Sequence, residues 1–213
     1  MKKLILAAVA VTCAVSVYAQ GTVIFNNRTQ IGTSHVWGPS SIDPTLALRG
    51  NAPTGDTPAG TTDYAANGMS LLAGSRYSAQ IFGLVGADQP EESLIPLSNL
   101  TSFRTGTAVG FLAITTATLA GIPIDTPMAT LQLVVWDNAN GLYPTWAEAL
   151  PAWQNRIIPA GKGAPFNTLI GGLMIQPPNL PFTSFNIYFI PEPGSFALLG
   201  LGAAALLIFR RRK

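Results

Sequence analysis

Cysteine is almost missing from this chain: among 213 residues there is one, Cys13, within an apolar N-terminal stretch. Once that stretch is removed, disulfides, thiolate metal sites and a cysteine nucleophile are excluded. Histidine is equally scarce, with His35 alone, which excludes a two-histidine metal site within one chain. Charged residues make up only 10% of the total and apolar residues 48%, so the composition is neither that of a disordered polyelectrolyte nor that of an ordinary cytosolic protein.

Positive charge is missing from the interior as well. The formal net charge of +2 comes from the two ends, Lys2 and Lys3 at one and Arg210, Arg211, Arg212 and Lys213 at the other. Between Gly21 and Ile190 six bases face nine acids, a net of −3. Nucleic-acid binding needs clustered Lys and Arg against the phosphates, so no nucleic-acid partner is expected. Catalytic patterns are also lacking. No Gly-x-Ser-x-Gly elbow is present. His35, in Gly32-Thr33-Ser34-His35-Val36-Trp37, reads as a solvated loop histidine. Glu91-Glu92 beside Pro90 reads as a solvated turn rather than a glycosidase pair. Asp137, Asn138 and Asn140 ahead of Gly141 have oxygen ligands for calcium, but an Asn-Gly turn is the better reading. Gly200-Leu201-Gly202 lacks the βαβ context of a dinucleotide fingerprint. Neither an enzyme nor a cofactor or metal is expected; the alternative is an extracellular carbohydrate-binding or carbohydrate-active protein, and activity would require two acids facing each other across a cleft.

What is present is an address at each end. Residues 1–19 have the three parts of a secretory signal: Lys2 and Lys3, an apolar run over 4–17, and small side chains placed for signal peptidase at Val17 and Ala19. Cleavage is expected after Ala19. Cys13 as a lipidation site is a poorer alternative, because Thr12 before it is not small and the run continues beyond it.

At the other end stand Pro191-Glu192-Pro193-Gly194-Ser195, an unbroken apolar run over 196–209, and the basic cluster at 210–213. Prolines on both sides of a glutamate favour an extended segment that an enzyme can bind without unfolding anything. As a helix the apolar run is about 21 Å long, short of a hydrocarbon core of about 30 Å, with flanking residues and snorkelling arginines to make up the difference. The terminal cluster sets orientation by the positive-inside rule, leaving the main domain outside. A buried C-terminal helix would show a polar face, and this run has none.

These three elements in fixed order resemble the PEP-CTERM sorting signal, a tail also labelled an ice-binding-protein C-terminal domain. The resemblance covers residues 191–213. It implies recognition by an exosortase-like membrane enzyme, cleavage near Pro191, Glu192 and Pro193, and an exopolysaccharide-making Gram-negative host. It further implies an inner-membrane stage and then delivery to the cell surface or extracellular matrix. Exopolysaccharide is the expected contact there.

The interior, residues 20–190, reads as one all-β domain, an antiparallel β-sandwich or jelly-roll-like barrel, flanked by an N-terminal signal helix and a C-terminal transmembrane helix. Strands are expected over 22–25, 76–82, 110–119, 128–136 and 183–190. In 128–136, Ala129, Leu131, Leu133 and Val135 share one face, and Thr130, Gln132, Val134 and Trp136 the other. A Thr145-x-x-Glu148 capping box starts a short helix over 146–150, which Pro151 should end. Trp146 and Trp153 are expected in the core; a sugar-stacking role would need them exposed. Residues 42–67, rich in Asp, Pro, Gly and Thr, read as a long loop. Thr115-Thr116-Ala117-Thr118 is too brief for an ice-binding face.

Overall fold

The computed structural model describes residues 20–29 and 32–192. The expected signal helix and transmembrane helix lie outside them. Among the described residues no helix is long and apolar enough to cross a membrane.

The organising element is β6 (Ala129–Asp137), all nine residues of which are buried. Its two faces divide as the alternation requires. Ala129, Leu131, Leu133 and Val135 enter the main core; Val134 and Trp136 enter a second, aromatic one. β6 pairs antiparallel with β3 (Tyr77–Val85) over its full length, from Tyr77 opposite Asp137 to Val85 opposite Ala129. The short β4 (Ile95–Pro96) borders β3. On its other edge β6 takes β7 (Ala160–Lys162) against residues 134–136 and β8 (Phe166–Thr168) against residues 129–131. Together they make a five-stranded sheet.

A separate antiparallel ribbon joins β1 (Gln20–Phe25) to β5 (Thr115–Pro123). Val23, Phe25, Ala117, Leu119 and Ile122 of this ribbon share the main core with the inner face of the five-stranded sheet. Thr116 and Thr118 point out to solvent, which is why β5 alternates so cleanly. A third pair, β2 (Val36–Trp37) with β9 (Phe185–Asn186), is parallel. The chain is therefore strand-dominated, as expected, but its pairing is mixed. Its described strands form three sheets and no closed barrel. The barrel form of the expectation is corrected: β5 reaches the larger sheet through a single backbone bond, Ala120 N–H to the Leu97 carbonyl at 2.9 Å, and forms no ladder with it, so the described strands stay in separate sheets.

Three local expectations also need revision. Residues 110–114 are not part of β5, because Asn27 takes the Leu112 N–H and the Gly110 carbonyl. The segment 183–190 is extended, with Phe185 and Ile187 buried as the pattern required, yet only two residues form a ladder. Its N–H groups go to a succession of separate partners, among them His35, Leu48, Trp37 and Ala160. β7 and this segment approach closely at Gly161, where a Cβ would lie 2.5 Å from the Asn186 carbonyl oxygen.

The helix, α1 (Trp146–Gln154), runs through Pro151 instead of stopping before it. Proline removes one donor, the one that would serve the carbonyl of Ala147, and Ala147 is solvent-exposed. Ala152 and Trp153, beyond the proline, are buried in the aromatic core and hold the last turn in place. The capping box forms in both directions, with Thr145 N–H donating to Glu148 Oε2 at 3.0 Å and Glu148 N–H to Thr145 Oγ1 at 3.4 Å. Thr145→Ala is expected to cost about 0.5–2 kcal/mol, read as a lowered urea midpoint with unchanged slope. No shift in the midpoint would show that packing alone holds the helix.

Candidate functional site

The sorting junction is built from α1 and the last extended segment. Trp146 and Trp153 sit 5.9 Å apart, centroid to centroid, and Trp146 lies 5.6 Å from Trp136. Their burial meets the core expectation and removes the sugar-stacking alternative for these two rings. Trp153 Nε1 donates to the Tyr188 carbonyl at 2.9 Å, and Tyr188 and Ala160 exchange backbone hydrogen bonds. The chain is thus fixed to the helix and to β7 four residues before the motif glutamate.

Arg156 follows α1 in a left-handed conformation, φ 62°, and its guanidinium donates to the carboxylate of Glu192. That bond and the nearby charge hold the Glu192 carboxyl below its usual range. Both partners remain accessible, Arg156 at 38% and Glu192 at 61% side-chain exposure, so water screens the pair. Pro191 and Glu192 lie on the surface, as an enzyme-accessible segment requires. Pro193, the basic cluster Arg210, Arg211, Arg212 and Lys213, and the signal-peptidase positions Val17 and Ala19 lie outside the described residues.

A second site was not anticipated. His35 is buried rather than solvated. Its Nδ1 meets Asp56 Oδ1 at 2.6 Å. Asp56 Oδ2 accepts from the Ser184 hydroxyl at 2.6 Å and from the Ala52 N–H. Ser184 Oγ in turn accepts from the His35 backbone N–H at 2.7 Å. One carboxylate therefore ties three segments that are far apart in sequence. The order of contacts is not that of a nucleophile: the serine bonds to the aspartate, not to the imidazole, and Ser184 is fully buried. The arrangement is a clamp.

Residues next in sequence to the clamp line a cleft of about 360 Å³, between residues 27–29, 32–34, 51–58 and 178–183. Ser34, Thr57 and Thr183, each next in sequence to a clamp residue, line it, and Leu180 and Phe182 contribute apolar surface. Among the described residues, none that lines the cleft carries a charged side chain.

Two of the remaining acids form ion pairs. Asp137 pairs with Arg76 at 2.7 Å and accepts the Ala139 N–H. Asn138 accepts from Gly141 N–H, giving the expected turn. Glu91, in a 3-10 turn, pairs with Arg49. Among the described residues no cluster of three or more metal-ligating side chains forms.

No curated protein and no solved structure matches this chain. A family model does, over the segment where the exposed junction begins: residues 189–213 match the PEP-CTERM protein-sorting motif. The chain carries that motif, the mark of an exported protein that exosortase processes and that is bound for the cell surface.

Proposed function

We propose that residues 20–190 are the delivered cargo, a noncatalytic surface or matrix protein that contacts exopolysaccharide once the tail has been cut near Pro191, Glu192 and Pro193. The observation that carries this reading is the exposed Pro191-Glu192 step leading directly out of a folded domain, within a matched sorting motif. The noncatalytic part is supported by the engagement of Asp56, Asp137, Glu91 and Glu148 in clamps, ion pairs and a helix cap. The shared core of the β1–β5 ribbon and the five-stranded sheet favours a sandwich as the cargo architecture. Before cutting, the apolar run at 196–209 would hold the chain in the inner membrane.

The test is mass spectrometry of both termini of protein recovered from the host envelope and medium. A species starting at Gln20 and ending near Pro191 is expected. Glu192→Ala should leave nearly all of the chain with its tail, retained in the membrane fraction. Arg156→Ala, which leaves the motif intact, should still be processed. Equal processing of wild type and Glu192→Ala would overturn the assignment of the motif.

A further inference from the structure

We infer that the cleft between residues 27–29, 32–34, 51–58 and 178–183 is a binding site for a neutral saccharide. The inference rests on the surface-delivery reading above, which places the cleft where saccharides are met, and it adds the site and the charge class of the ligand.

Three observations carry it. The first is size. A volume of about 360 Å³ falls in the range of small-molecule sites, about 300–1,000 Å³. The second is chemistry. The lining combines apolar surface from Pro178, Leu180, Pro181 and Phe182 with hydroxyls from Ser34 and Thr183. A pyranose ring offers the matching pair of surfaces, apolar C–H faces and a belt of hydroxyls that both donate and accept. None of the described lining residues has a charged side chain to offset the desolvation of an ionic ligand, so a uronate or phosphate would enter at a loss.

The third is rigidity. The walls come from segments far apart in sequence, and binding that had to order them would lose affinity to entropy. Here they are already joined. Asp56 links the His35 and Ser184 segments, Asn51 Nδ2 donates to the Pro58 carbonyl at 2.8 Å, and Asn51 Oδ1 accepts the Ser184 N–H at 3.0 Å. Asn26 Nδ2 ties Asn179 to the end of β1 at 3.0 Å. An amphipathic peptide would want main-chain donors and acceptors along an exposed strand edge, whereas none of the described lining residues belongs to one of the nine strands.

The full chain in detergent micelles, isotope-labelled for amide NMR, is titrated separately with maltotriose, cellotriose, trigalacturonate and a proline-rich decapeptide. Saturable shifts at Asn51, Thr57 and Thr183 are expected with at least one neutral trisaccharide, at about millimolar affinity. Trigalacturonate should bind at least about tenfold more weakly. Thr183→Tyr, which fills the cleft from an exposed position, should abolish these shifts. Thr118→Tyr, on the outer face of β5, should leave them unchanged. Absence of saturable shifts with both neutral trisaccharides, binding that survives Thr183→Tyr, or a preference for trigalacturonate or for the peptide would each overturn the proposal. Terminus mapping in the host separates this from the delivery reading. A chain that is processed and released but ignores both sugars refutes the cleft alone. One that binds sugar but keeps its tail refutes delivery alone.

Discussion

Trp136→Ala is expected to be the most damaging single truncation in the domain, at about 3–5 kcal/mol. Trp136 is fully buried in the central strand and is the largest of the fully buried side chains. Its ring contacts Trp146, and through Trp146 it supports Trp153 and the whole of α1. Removing it leaves a void under the helix that rigid β6 cannot collapse to fill, so the cavity adds to the lost transfer energy. The indole N–H also donates to the Tyr143 carbonyl at 2.9 Å, which would lose its partner. For a domain of this size the melting temperature should fall by roughly 6–20 °C. Trp136→Phe keeps most of the volume and loses the hydrogen bond, so it should cost far less. Thermal melts followed by far-UV circular dichroism would decide the matter. If Trp136→Ala melts within about 2 °C of wild type, then α1 is not supported in this way.

Asp56→Ala should come close to it, by a different physical route. The carboxylate is fully buried and accepts from His35, Ser184 and the Ala52 N–H. Truncation leaves those groups buried without an acceptor, at about 1–3 kcal/mol for each donor left unpaired. Asp56→Asn separates charge from hydrogen bonding. The amide oxygen can keep the Ser184 and Ala52 donors, and the amide N–H₂ can donate to His35 Nδ1 in its other tautomer. The asparagine variant should therefore recover a large part of the loss in urea denaturation. If both variants unfold at the same midpoint, the clamp acts through charge alone. If neither shifts it, the segments are held by packing.

The contrast between these two residues shows what could be read from the chain and what could not. The strand that carries Trp136 was legible because its alternation is written locally, with Ala129, Leu131, Leu133 and Val135 on one face and Trp136 on the other; that the second face is buried too was not, since α1 covers it from elsewhere in the chain. The helix cap was legible for the same reason, since Thr145 and Glu148 are three residues apart. The tail was legible as three unlike elements in order. The clamp was not. Asp56 lies 21 residues from His35 and Ser184 lies 149, and no short pattern links them. Gly55-Asp56-Thr57-Pro58 looks like any turn. A lone histidine in a polar segment therefore read as solvated, and the cleft that depends on it had no local signal. The run of 183–190 was misjudged in a milder way. Its alternation correctly marked the buried side, but alternation says nothing about whether neighbouring backbones form one ladder or several unrelated contacts. Pro151 was misread because propensity was weighed without the burial of Ala152 and Trp153 beyond it.

The stitching of the chain just before Glu192 has a mechanical consequence. Within five residues of that glutamate the backbone is bonded to Pro44, to Ala160 and to the Trp153 ring. Anything that pulls on the polypeptide at that point pulls on the fold itself, because no slack intervenes to absorb the load. The bonds lie in series along the segment, so force would undo them one after another from the tail inward, as a zip opens, and the first to yield would be the exposed Arg156 contact.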